Sequence, residues 1–161
     1  MCPDNREQNI SLPRFAADAG AADGVTLAFL GDAVYELLLR DYVLSRAAGR
    51  AEALHKEAIG FANAGFQAQA AELLLPLLTE EELGVYKRGR NAHLSHTPKN
   101  KTEAEYHKAT GFEALFGWLY LKGKSDRLQA LFAAAVTQAE PPAAASADKP
   151  RRKSIIRRQA L

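Results

Sequence analysis

Apolar residues recur along most of this chain at three- and four-residue intervals, and no stretch alternates with the two-residue period of a half-buried strand. The pattern predicts an all-α protein. A first helix is expected from about Asp23 to Ser45, with Gly49 closing the turn after it. Residues 51–75, rich in Ala, Leu, Glu and Gln, predict one or two further helices interrupted by Pro76. Thr79-Glu80-Glu81-Glu82 and Thr102-Glu103-Ala104-Glu105 both have the form of a capping box. They predict a helix carrying Tyr86 to Arg90 and a long one running to about Leu121. Gly123 should end the long helix, and Ser125 should cap a last one through about Thr137.

Within the first helix, Leu27, Leu30, Val34, Leu37 and Leu38 have the spacing of a core-facing stripe. Phe29 and Leu39 fall outside it, on the side of Asp32 and Glu36, which are neighbours one turn apart. Gly31 costs about 1 kcal/mol relative to Ala in a helix interior, so another backbone is expected close by. In the long helix, Phe112, Leu115, Phe116 and Leu119 form the core stripe. Glu113 lies off that stripe between the small residues Ala109 and Gly117. If the two helices cross at Gly31, Asp32 and Glu113 converge. Two convergent carboxylates among apolar neighbours are costly unless a cation binds them, and an all-oxygen site suits Mg²⁺. The bland alternative is a pair of solvated surface acids.

Length and composition bound the reading further. The 161 residues, 47% apolar and 25% charged, are those of one ordinary globular domain. A signal sequence and a membrane-length apolar run are both lacking, and the single Cys2 builds no disulfide framework, so a cytoplasmic protein is expected. The net charge of +2 is unevenly spread. From Ala139 onward six Lys and Arg face two acids, which leaves the preceding residues at a net −2. The expected organisation is a leader over residues 1–20, a body over 21–138 and a disordered basic tail over 139–161. Nucleic acid would therefore have to meet local basic patches on the body.

Such patches exist. Lys87, Arg88, Arg90 and Asn91 stand before a loop containing Pro98, and Lys99 and Asn100 follow it. Cations and amides spread over a loop suit a phosphate backbone, and the scarcity of aromatics there favours duplex over single strand. His93 and His96 have a spacing metals use, but no third soft ligand is near. His55 and His107 read as packing or phosphate-facing residues. A nucleophile elbow, a Gly-rich phosphate loop and a Cys/His pair are all lacking, and no small-molecule cofactor is expected.

Phe29-Leu30-Gly31-Asp32-Ala33-Val34 resembles the signature helix of the ribonuclease III catalytic domain, and Gly111-Phe112-Glu113-Ala114-Leu115-Phe116-Gly117 resembles its second catalytic helix. Lys87-Arg88-Gly89-Arg90-Asn91-Ala92 and Thr97-Pro98-Lys99-Asn100 resemble the short Mini-ribonuclease 3 branch, which lacks a double-stranded-RNA-binding domain. The resemblance spans about residues 22–136. It implies an all-α homodimer that hydrolyses double-stranded RNA with Mg²⁺ and matures the precursor of 23S ribosomal RNA. By position, Asp32 and Glu113 would be both the catalytic residues and the metal ligands. Two further carboxylates of the longer enzymes fall here on Val25 and Thr110. Those losses are the best support for the alternative, a non-catalytic RNA-binding or ribosome-associated protein of the same fold. Glu36 is expected to pair with Arg40 rather than with a metal.

Overall fold

The computed structural model describes residues 18–46, 51–92 and 102–139. They form six α-helices and, among the described residues, no strand. In chain order these are α1 (Gly24–Arg46), α2 (Ala51–Phe61), α3 (Ala64–Leu74), α4 (Glu80–Arg90), α5 (Glu103–Leu121) and α6 (Ser125–Gln138). Leu75–Leu77, with Pro76 inside it, makes one 3₁₀ turn after α3. Gly49, the loop from His93 to Lys101, most of the leader and the tail beyond Ala139 lie outside the described residues.

Local sequence accounts for the helix ends. Thr79 and Thr102 accept from the backbone N–H of Glu82 and Glu105, whose carboxylates return to the threonine N–H, so both expected capping boxes form. Asn63, which the sequence reading did not single out, caps α3 by accepting from Phe66 N at 3.0 Å. Gly123 ends α5 with a φ of 67°. Ser125 does not cap α6: Lys124 holds the cap position without a side-chain bond, and the serine is already helical. Ahead of α1, Ala19 is buried and Gly20 N donates to Asp18 Oδ1 at 2.7 Å.

α5 is the central helix, with α1, α3, α4 and α6 packed around it. Its expected stripe of Phe112, Leu115, Phe116 and Leu119 is buried in full. Tyr35 from α1 stands edge-on to Phe112 and Phe116, with ring centroids 5.1 and 5.6 Å away. Its hydroxyl donates to Phe61 O at 3.0 Å, which satisfies the polar tip inside the core. Burial pushes the Tyr35 phenol well above its usual range.

The stripe expected on α1 is corrected. Leu37 is 54% exposed and Leu30 and Leu38 only partly buried, whereas Leu39 is 1% exposed and joins Leu27, Ala28, Val34, Tyr35 and Val43 in the core. The physical reason is Gly31. A Cβ there would lie 1.7 Å from Glu113 O and 2.8 Å from Gly117 N, so this face of α1 touches the α5 main chain. Reciprocally, a Cβ on Gly117 would lie 2.1 Å from Leu27 O. The crossing fixes how α1 is rotated, and the neighbouring leucines take the orientations left over.

An ion pair between a buried carboxylate and a partly exposed guanidinium ties α4 to α6. Glu82 is 2% exposed and accepts from Arg127 Nε at 2.9 Å and Nη2 at 2.8 Å. The same guanidinium donates to Leu77 O at 2.6 Å. The Arg127 hydrogen bond, and then that from Thr79 N, hold the Glu82 carboxyl below its usual range despite burial.

Candidate active site

The α1/α5 crossing brings the two expected carboxylates together. Asp32 follows Gly31, which touches the Glu113 carbonyl, and both acids line one open depression of about 360 Å³. Tyr106 and Thr110 from α5 complete its polar wall; Val25, Ala28, Phe29, Leu30 and Ala33 make the apolar side. Burial, and then the charge of Glu36, hold the Asp32 carboxyl above its ordinary range. Glu36 is engaged elsewhere, with Arg40 Nη2 donating to Glu36 Oε2 at 2.6 Å, as expected.

Neither position that carries a further carboxylate in the longer enzymes offers a charged ligand here. Val25 is apolar, and the Thr110 hydroxyl is spent on the backbone of its own helix, donating to Tyr106 O at 3.0 Å. Among the described residues no group of three or more His, Cys, Asp or Glu converges. Two carboxylates with room for water still fit Mg²⁺, which is held by one or two carboxylates and keeps several waters. Tyr106 was not singled out from the sequence. The available signal was its position, seven residues before Glu113 and so on the same helix face.

Among the described residues, the expected phosphate contacts do not form one cluster. Glu82, Val85, Tyr86 and Gly89 face inward, which leaves Lys87 and Arg90 on one flank of α4 and Arg88 on the other. Arg90 lies 6.0 Å over the Tyr86 ring and donates from Nε to Asn91 Oδ1 at 3.1 Å. Arg88 lines a second depression, of about 460 Å³, with Trp118, Lys122, Glu80 and Glu81. Lys99, Asn100, His93 and His96 lie outside the described residues. His107 sits beside Glu103, 3.7 Å from Nε2 to Oε1, and His55 lies on the exposed side of α2.

The Ribonuclease III domain matches residues 25–124, from just after the start of α1 to just past the end of α5, and both acids fall inside it. The chain belongs to the ribonuclease III family. A Mini-ribonuclease 3 from Symbiobacterium thermophilum is 46% identical over 111 residues, covering 69% of this chain and 85% of that protein. One from Enterococcus faecalis is 44% identical, covering 68% of this chain and 84% of that one. A crystal structure of a Fusobacterium nucleatum protein matches with a TM-score of 0.68 at 30% identity, covering 73% of this chain and 94% of that one. The all-α ribonuclease III architecture expected from the sequence is thus the one observed. Among the described residues, no helix is long and apolar enough to cross a membrane.

Proposed function

We propose that this ribonuclease III chain is a Mg²⁺-dependent endoribonuclease that hydrolyses both strands of double-stranded RNA as a homodimer, maturing the 23S ribosomal RNA precursor. The observation that carries the reading is the pair Asp32 and Glu113 in one depression, set by main-chain contact between their helices. Both would hold the ion through carboxylate oxygens, with water in the remaining positions. Bound Mg²⁺ supplies polarisation of the phosphodiester and of a water.

The acid side chains orient that chemistry. Partial burial and the charge of Glu36 both disfavour the ionised Asp32, and a bound cation would offset both. A water oxygen bonds to phosphorus while the P–O3′ bond breaks. The departing O3′ takes a proton from solvent and the water gives one up, leaving a 3′-hydroxyl and a 5′-phosphate. Lys87 and Arg90 contribute phosphate contacts from the outer flank of α4, with Asn91, Lys99 and Asn100 as further candidates, whereas Arg88 lies on the other flank. Recognition is by shape, because the A-form major groove is too narrow for side chains to read.

Support for the dimer comes from α1. Phe29 is 83% exposed beside the acids, and Val25, Leu37 and Leu44 make a strip along the same side of α1 at 42, 54 and 64% exposure, shared with the Glu36–Arg40 pair. That strip is unfavourable to leave in water. A two-fold axis there would place one site on each strand of a duplex.

The test is cleavage of duplex RNA with and without Mg²⁺, alongside Asp32→Asn and Glu113→Gln. Metal-dependent cuts with 5′-phosphate ends, lost in both variants while duplex affinity stays, are expected. Duplex binding without any metal-dependent cleavage would instead favour the non-catalytic RNA-binding reading.

A further inference from the structure

The wall of the depression holds one hydroxyl that the reaction above leaves unused. Val25, Phe29 and their apolar neighbours offer no donor, and Asp32 and Glu113 as carboxylates only accept. The Thr110 O–H donates to Tyr106 O, and Thr110 is 4% exposed, so its donor is turned onto its own helix and away from the depression. Tyr106 is half-buried, lines the same depression, and its hydroxyl has no hydrogen-bond partner among the described residues. It stands seven residues before Glu113, two turns along the same face of α5.

A phosphate drawn into this site meets two negative side chains. Whatever the cation offsets, its non-bridging oxygens gain charge as the water attacks, and a fixed donor aimed at them lowers the barrier. A phenol can provide this without adding negative charge, unlike a third carboxylate. We propose that Tyr106 is a substrate-contacting catalytic residue, whose phenolic O–H donates to a non-bridging oxygen of the scissile phosphate held at Asp32 and Glu113. It keeps its proton throughout, so the balance of the hydrolysis is unchanged. The inference rests on the nuclease reading and deepens it, since it assigns the polar wall of the same site.

The test is Tyr106→Phe, which keeps the ring and removes only the donor. Single-turnover cleavage at saturating protein should fall about a hundredfold, the scale of losing one such donor. Melting temperature, molecular mass in solution and duplex affinity without divalent cations should stay at the parent values. A second readout uses duplexes with sulfur replacing one non-bridging oxygen of the scissile phosphate. Sulfur is the poorer acceptor, so for one of the two diastereomers the sulfur penalty should be larger in the parent than in Tyr106→Phe.

A rate within threefold of the parent would overturn the proposal, as would equal sulfur penalties in both proteins for both diastereomers. A rate loss matched by lost duplex affinity or a lost dimer would also overturn it, making Tyr106 only part of the wall. A parent that cuts no duplex at all would remove the nuclease reading itself, whereas an unaffected Tyr106→Phe removes this assignment alone.

Discussion

Gly117→Ala inserts one methyl group at the point where α1 and α5 touch. The new carbon would start 2.1 Å from Leu27 O, and side-chain carbons do not approach within 3.0 Å, so the helices must part by about 0.9 Å. The obstruction is backbone, with no rotamer to turn aside. Overpacking of this kind costs about 3 kcal/mol at the upper end of its usual range. Replacing a helical glycine returns about 1 kcal/mol, leaving a net loss of about 2 kcal/mol. At roughly 4 °C per kcal/mol, the melting temperature should drop by about 8 °C. Asp32 moves with α1 and Glu113 with α5, and a 1 Å misplacement of reacting groups costs about a hundredfold in rate. Thermal melts followed by circular dichroism, and single-turnover duplex cleavage well below the transition, read the two effects separately. Gly84→Ala is the control, because nothing lies within 4 Å of a Cβ there. It should raise the melting temperature by a few degrees, at about 0.5–1 kcal/mol, and leave the rate alone. If Gly117→Ala melted at or above the parent and cut at the parental rate, the argument that backbone contact sets the spacing of the acids would fail.

Asp32→Asn should melt above the parent at neutral pH, because burial and Glu36 disfavour the ionised acid in the folded state. That advantage should fade as pH falls and be gone below the ordinary value of 3.8, where the aspartate is protonated folded or unfolded. Added Mg²⁺ should raise the parent's melting temperature and leave the variant's in place; a variant less stable at pH 7 would contradict the assignment. Arg127→Ala strands the buried Glu82 and should cost about 3 kcal/mol at neutral pH. Since Glu82 is held below its usual range, the parent's lead should shrink as acid protonates it, which melts at low and neutral pH would register. Lys87→Ala and Arg90→Ala should each weaken duplex binding regardless of sequence and flatten its logarithmic salt dependence by about one unit. Arg88→Ala, on the opposite flank of α4, should leave that slope unchanged; an equal effect would mean that the RNA wraps both flanks.

Helix boundaries were readable wherever the chain signals locally. Thr79 with Glu82 and Thr102 with Glu105 are self-contained devices within one turn, and they formed as expected. The α5 stripe was equally plain, because the small residues Gly111, Ala114 and Gly117 and the acid Glu113 separate its bulky members. The rotation of α1 was not, because Leu37, Leu38 and Leu39 are adjacent and put apolar groups on three faces at once. Only the contact at Gly31 with a helix some 80 positions later in the chain decides which leucine goes inside. The juxtaposition of Asp32 with Glu113 followed from small residues flanking each acid. The separation of Arg88 from Lys87 and Arg90 did not, since a run of cations carries no information about which side of α4 is covered. Tyr106 escaped notice because an aromatic at helical spacing reads first as core.

The meeting of α1 and α5 through bare main chain also governs what substitution can change. Distances between functional groups carried on packed side chains can drift by small exchanges of volume, leucine for methionine or valine for isoleucine. Here the interval between Asp32 and Glu113 is set by peptide groups in direct touch, and no exchange of volume at Gly31 or Gly117 leaves it intact. The aromatic cluster of Tyr35, Phe112, Phe116 and Phe132 behind it can therefore be redesigned for heat resistance with the interval preserved. Conversely, a search for altered metal preference is better directed at Val25 and Thr110, which border the acids without holding the helices apart.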